Sequence, residues 1–282
     1  MTKRIISIFL KTAFFAVAFF VILFTFSLVL YFAGGSVQKN ADKKAYNIWH
    51  CADKTRNEKI SLLEKQNKDF VCWIKIPDTN INYPVYQTDN DDYYMYHNGR
   101  GNLSRYGALF MSSKDNICEN TNDKNFVIYG NNMKDGQMFG DLKKYRNLNF
   151  YKKNPVLTLD FYNEQNNYAV YSVMVLNSDK KDDNGYLYNV YKSGFFSGED
   201  FDKWCDEAKS RSLIDTSVKA EYGDSILTLI TCADDFENAR LVVMAKRIYS
   251  QNDQPDTYNA KINEKIRYPK KWYDERKLDF PY

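Results

Sequence analysis

Eight short runs of β-branched and aromatic residues, each closed by turn-forming residues, constrain this chain more than any other feature. They are VCWIKI (71–76), INYPVY (81–86), ALFMSS (108–113), NFVIYG (125–130), VLTLDFY (156–162), YAVYSVMVL (168–176), ILTLIT (226–231) and RLVVMAKRIY (240–249). Runs of this length and composition read as strands. Some eight of them in one chain point to a barrel or a sandwich. Two helical insertions interrupt the series. GQMFGDLKKYRNL (136–148) follows a turn at Asp135-Gly136, and GEDFDKWCDEAKSRS (198–212) spaces Phe201, Trp204, Cys205 and Ala208 as one helix face. The expectation is a mainly β domain over 69–249 with peripheral helices.

The N-terminus is of another kind. Lys3, Arg4 and Lys11 precede an uncharged stretch from Thr12 to Phe32, long enough for the roughly 20 residues that span a bilayer. Basic residues before such a stretch favour a cytoplasmic start, with the remainder outside the cell membrane. The division expected is therefore a cytoplasmic 1–11, a transmembrane anchor over 12–33 and a polar, helix-permissive juxtamembrane segment over 34–68. A cleaved leader is the rival reading, because Ala33, Gly34 and Gly35 are small, but its apolar region is usually shorter. The polar, Tyr-rich 250–282 is an extension that reads equally as a flap or a flexible appendage.

Charge and cysteine content narrow the function. Of 39 Lys and Arg, three precede the anchor, leaving 36 to balance 36 Asp and Glu. Such a domain has no electrostatic case for binding nucleic acid. Five cysteines occur, without a C-x-x-C pair, so neither a disulfide scaffold nor a zinc site is indicated. Cys72 and Cys205 sit in apolar or helical patterns and read as small buried hydrophobes. No phosphate-binding loop or calcium-loop spacing is present, and no cofactor or metal is expected. The cluster Asp234, Asp235 and Glu237 reads as a solvated acidic loop.

Cys232 differs from the other thiols. In LTLITCADDFENARLVV (227–243) it ends a strand, and Arg240 opens the next one. Alternation puts Ile226, Thr228, Ile230 and Cys232 on one face. An antiparallel pair joined through ADDFENA brings the thiol beside the guanidinium. A neighbouring cation favours thiolate, the nucleophilic form; Arg holds its proton but donates hydrogen bonds to a developing oxyanion. The bland alternative has Arg240 paired with Asp234, Asp235 or Glu237 and Cys232 buried.

These residues occur in a setting that resembles the sortases, membrane-anchored cysteine transpeptidases of Gram-positive bacteria. TLITC (228–232) is similar to the family's TLxTC signature, and Arg240 falls where its arginine is expected. DFVCWIKIPDTNINYPVYQTDN (69–90), YYMYHNGRGNLSRYGALFM (93–111) and YGNNMKDGQMFGDLKKY (129–145) resemble successive class B segments. The resemblance runs from about residue 56 to 249. It implies a closed eight-stranded barrel, Cys232 as nucleophile and Arg240 as stabiliser of the oxyanion or substrate. The substrate implied is an NPxTx-like sorting-signal peptide of a surface protein, cleaved after threonine. A peptidoglycan or pilin amine would accept the acyl group. Ile230 and Thr231, flanking the nucleophile, and Asn90 and Tyr94, from the groove-forming segment, are the candidate substrate contacts.

One position departs from the pattern. The family's YGHNM-type stretch carries a catalytic histidine where this chain has Asn131. An amide has no proton to exchange near neutral pH, and loss of a catalytic histidine costs up to roughly six orders of magnitude in a comparable triad. Only His50, in the juxtamembrane segment, and His97 exist elsewhere. Three readings stand: a competent site carrying a histidine-to-asparagine replacement, a slow transpeptidase using His97 or water, and a catalytically silent module that binds sorting signals.

Overall fold

The computed structural model describes residues 17–26, 43–115, 125–161, 164–181, 185–250 and 253–282. All eight expected runs are strands of one closed barrel: β1 (Phe70–Lys75), β2 (Asn82–Tyr86), β3 (Leu109–Met111), β4 (Asn125–Tyr129), β5 (Val156–Asp160), β6 (Gln165–Asn177), β8 (Ile226–Cys232) and β9 (Ala239–Arg247). Their order round the wall is β1-β2-β3-β4-β8-β9-β6-β5, closed by antiparallel pairing of β5 with β1. The β2–β3 and β4–β8 pairs are parallel and the remaining pairs antiparallel. Closure leaves the barrel itself no unpaired edge.

Alternation along each strand divides the apolar residues between two sides. Leu227 and Leu229 of β8 point inward with Ile128, Leu159 and Val243. Ile226 and Ile230 point outward with Val127, Met174 and Val242. The outer face is not left wet. Helix α5 (Gly198–Arg211) covers it with Phe201, Trp204, Cys205 and Ala208, the four residues expected to form its apolar stripe. Ser197 caps this helix, its hydroxyl accepting from the Asp200 N–H at 3.2 Å. The short strands β7 (Ile214–Asp215) and β10 (Lys261–Ile262) pair beside it.

Before the barrel, α1 (43–49) leads to α2 (Arg56–Gln66), which opens on a capping box between Thr55 and Glu58. Ile60 and Leu63 dock α2 against Phe70, Trp73 and Tyr86. Trp49 of α1 stacks on Trp73 at 4.9 Å. The insertion expected as one helix over 136–148 is two: a 3-10 helix, η1 (Gly140–Arg146), and α4 (Leu148–Lys153). Asn147 makes the break. Its backbone is extended, and its side chain accepts from the N–H groups of Asn149 and Phe150 at 2.8 and 3.1 Å, so it caps a new helix. The expected anchor over 12–33 falls largely outside the described residues; its described part, 17–26, is helical. Among the described residues no helix is long and apolar enough to cross a membrane.

Candidate active site

Strand register builds the site. In the parallel β4–β8 pair, Tyr129 lies opposite Ile230. The ladder continues past the end of β4: the Gly130 N–H donates to the Ile230 carbonyl at 3.2 Å, and the Thr231 hydroxyl donates to the Gly130 carbonyl at 2.7 Å. Continuing the register sets Asn131 opposite Cys232. In the antiparallel β8–β9 pair, Cys232 lies directly opposite Arg240. Positions 131, 232 and 240 thus form one row across three adjacent strands, each about 5 Å from the next. Residues opposite one another in a sheet share a face, here the outer one.

Glycine is required at the step into this row. A Cβ on Gly130 would lie 2.3 Å from the Leu109 side chain and 2.8 Å from Phe139. Beyond it, the Asn132 side-chain amide donates to the Cys232 carbonyl at 2.9 Å. It takes the acceptor that the next backbone N–H of a longer ladder would have used. On the other side, Asn238 closes the β8–β9 loop in the left-handed region (φ 65°), which asparagine tolerates better than most residues.

Cys232 is exposed, whereas Cys72 and Cys205 are buried. Burial holds the Cys72 thiol far above its ordinary pKa and pushes Cys205 up to about 12, so neither is available as thiolate. Cys118 lies outside the described residues. The Arg240 guanidinium donates to the Ala239 carbonyl at 3.0 Å and forms no ion pair among the described residues. The acidic loop does not neutralise it: Asp235 is taken by Arg146 through two bonds of 3.0 and 2.5 Å, and Asp234 and Glu237 form no ion pair among the described residues. Asp235 therefore ties the β8–β9 loop to η1 and is not merely solvated.

Asn131 presents an amide whose hydrogens are already used. Its Nδ2 donates to the carbonyls of Met95 at 3.0 Å and Tyr106 at 3.1 Å. His97 is held within its own segment, its Nδ1 2.8 Å from the Tyr93 carbonyl and its ring stacked on Tyr93. His50 stacks on Tyr46 at 3.7 Å in the N-terminal helical region.

Above the row, the outer face carries an aromatic stack. Tyr129 stacks between Phe110 at 5.1 Å and Tyr191 at 6.3 Å. Burial raises the Tyr191 phenol, and the charge of Arg240 works against that rise. Asn125 holds the segment that carries Tyr191 in place: its amide donates to the carbonyls of Val190 (2.8 Å) and Lys192 (3.2 Å), and its oxygen accepts from the Thr228 hydroxyl at 2.6 Å. Trp204 adds a bond from Nε1 to the Asn189 carbonyl.

The other expected contacts are not equally placed. Ile230 is buried in the outer cluster, and Thr231 is buried with its hydroxyl committed to Gly130. Asn90 accepts from the Asp92 N–H in a turn before α3 (Tyr93–Tyr96). Tyr94 is 2% exposed; it donates to Asp69 and stacks on Tyr86. It is a packing residue, closed to a peptide in this conformation. Sequence reasoning misses Tyr129, Asn125 and Asn132, although alternation puts Tyr129 on the face of Asn131. Tyr191 lies in irregular chain and carries no such signal. Among the described residues no group of three or more His, Cys, Asp and Glu is arranged to hold a metal ion.

A sortase-domain family model matches residues 74–248, more than half of the chain. The chain belongs to the sortase family. Within it the relatives are sortase B proteins. That of Listeria monocytogenes is 35% identical over 198 residues, covering 68% of this chain and 74% of the relative. That of Staphylococcus aureus is 33% identical over 188 residues, covering 66% and 73%. Among solved structures, sortase B from B. anthracis in complex with AAEK1 superposes with a TM-score of 0.67 at 28% identity, over 77% of this chain and 99% of that one. A Staphylococcus aureus sortase B–substrate complex superposes with a TM-score of 0.64 at 27% identity, over 76% and 95%. Sortases are cysteine transpeptidases, and a class B-like member accounts for the closed barrel and for the strand-end thiol.

Proposed function

We propose that this chain is a membrane-anchored, cell-surface sortase that cleaves an NPxTx-like sorting signal after threonine and passes the acyl group to a cell-wall or pilin amine. The observation that carries this reading is the row Asn131–Cys232–Arg240 at adjacent strand ends. The Cys232 thiolate attacks the threonine carbonyl, and Arg240 donates to the oxyanion of the tetrahedral intermediate. Collapse expels the amine of the following residue, which must gain a proton as it leaves. The thioester is then resolved by the incoming amine, which must lose one.

Asn131 stands where those protons would be handled, and it cannot handle them. Its amide hydrogens serve two backbone carbonyls, and it does not titrate. Protons then pass through water, and turnover is slow. Histidine at this position would keep one N–H for the Met95 carbonyl and leave the other nitrogen free to exchange. The anchor is supported by the exposed Phe19, Phe20, Ile22, Phe24 and Phe26 in the helical stretch 17–26, which water does not favour.

Asn131→His should raise acyl transfer from an NPxTx-like peptide by about 10²–10⁴-fold, the usual contribution of a positioned acid–base group. Adding Cys232→Ala should abolish it. Unchanged transfer in a folded Asn131→His protein that still alkylates at Cys232 would refute the assignment. Peptide binding that survives Cys232→Ala without turnover in any variant would favour a silent binding relative.

A further inference from the structure

A cavity of about 340 Å³ lies at the other end of the barrel, bordered by Trp49 of α1, Arg56 and Lys59 of α2, Lys75 of β1, Asp160 of β5 and Gln165 of β6. Strand β6 fixes its distance from the Cys232 row. Gln165 pairs with Asp160 at one end of that strand, and Leu176 pairs with Arg240 at the other. At about 3.3 Å per residue, the two ends are roughly 35 Å apart along the strand. The cavity therefore takes no part in the chemistry at Cys232.

Its walls are cationic. Arg56 and Lys59 are three residues apart on α2 and share a helix face. Packing of Ile60 and Leu63 on Trp73 holds α2 against β1, the strand that Lys75 ends. Lys59 and Lys75 form no ion pair among the described residues. Asp160 is the one carboxylate of the lining, and its Oδ1 already accepts from the Gln165 amide at 2.9 Å. Three cations against one carboxylate leave positive charge in surplus. Trp49 adds a fixed aromatic wall, because its ring is stacked on Trp73 at 4.9 Å. The surrounding chain has the same sense of charge. Residues 34–68 carry eight Lys and Arg against four Asp and Glu, whereas 69–282 carry 28 against 32. The segment between the apolar stretch and the barrel is the positive part of the molecule beyond residue 33, and it supplies three of the lining residues.

We propose that this cavity binds a phosphate ester, with the phosphate held by Arg56, Lys59 and Lys75 and the alcohol part lying against the Trp49 ring. The free oxygens of a tetrahedral phosphate meet donors on two walls, α2 and β1, whereas a planar carboxylate presents its oxygens along one edge. A phosphate monoester carries about −1.5 to −2 charge at pH 7, which offsets the surplus. Arginine supplies paired hydrogen bonds to such a group and lysine a point charge. The bound ester bridges α2 and β1 and so fastens the juxtamembrane helices to the barrel. Two sources carry this chemistry, the headgroup of an anionic lipid and a soluble glycerol or sugar phosphate.

The test titrates glycerol 3-phosphate into the full chain in dodecyl maltoside. Binding should change the tryptophan emission, Trp49→Phe should remove that change, and the thermal midpoint should rise with ligand concentration. Lys75 is exposed and Lys59 half-buried, so glutamine at either position leaves the packing in place. Lys59→Gln and Lys75→Gln should each weaken binding about tenfold, as loss of one charge-assisted hydrogen bond does. Arg56→Lys should keep most of the affinity, and the exposed, remote Lys219→Gln should keep all of it. Acetate should bind more weakly than glycerol 3-phosphate. Equal affinity for acetate, no binding at millimolar glycerol 3-phosphate, or binding untouched by Lys59→Gln and Lys75→Gln together overturns the proposal. Dibutyryl phosphatidic acid separates the sources: tighter binding than glycerol 3-phosphate assigns a lipid headgroup, and equal or weaker binding assigns a soluble ester.

Discussion

The two sides of Cys232 are made by different means. On the Arg240 side, everything follows from register: three residues on neighbouring strands become a row because the ladders align them. On the mouth side, nothing does. Residues from η1, the β8–β9 loop and a helix near the C-terminus converge on one cavity through packing and one ion pair. A row held by backbone hydrogen bonds is rigid and tolerates little change in geometry. A wall assembled from loops varies without disturbing the barrel, as binding surfaces on rigid scaffolds do. The contrast separates a row that the barrel holds constant from a wall that the periphery sets.

If this separation holds, changes on one side leave the other intact. The largest effect is expected at Arg240. Arg240→Ala in an Asn131→His background should lower kcat by about 10²–10³-fold, as loss of an oxyanion donor does, while acceptor preference stays as it was. A parallel change in the preference between two amines would show that the sides are coupled. Next comes Asn125, whose side chain makes three hydrogen bonds while 1% exposed. Asn125→Ala should cost about 1–3 kcal/mol in urea denaturation. It should also raise the KM for the donor peptide more than it lowers kcat, since it frees the segment that carries Tyr191 and leaves the row in place. An unchanged KM would mean that residues 189–192 take no part in donor binding.

The smallest effect concerns Asp115, which accepts from the Val127 N–H at 2.6 Å beside Asp91. Burial, with the neighbouring charge of Asp91, pushes its carboxyl up to about 7. Its folded pKa lies above the unfolded value near 4, so the folded state keeps a proton that the unfolded chain has released. Stability from this group is full below pH about 4 and is lost as pH rises through about 7. Asp115→Asn should flatten that part of the profile in urea melts taken between pH 4 and 8. A wild-type slope in the variant would locate the titration elsewhere.

Much of this architecture is readable from one-dimensional pattern. All eight runs are barrel strands, and the apolar stripe of α5 matches its spacing to the residue, because strand alternation and helical spacing are local properties that tertiary packing reinforces. The insertion at 136–148 departs from the pattern at Asn147 because a side-chain cap, one oxygen accepting two backbone N–H groups, competes with helix continuation. Resemblance alone puts Tyr94 in a groove, yet its hydroxyl meets Asp69 and its ring meets Tyr86. Polarity at one atom of a large ring does not reveal which way the ring faces.

The sequence by itself determined which strands exist, which of their faces are apolar, and that Cys232 and Arg240 end one strand and begin the next. It also determined that the position beside them carries an amide in place of an imidazole, a matter of covalent identity that no fold can alter. Only the tertiary structure decided that Asn131 joins the same row, that Asp235 is spent on Arg146, that Arg240 forms no ion pair among the described residues, and that Arg276 reaches the neighbourhood of Cys232. Each of these depends on which distant segments meet. That is settled by closing the barrel and by the packing of whole surfaces, free-energy terms that no single stretch of chain contains.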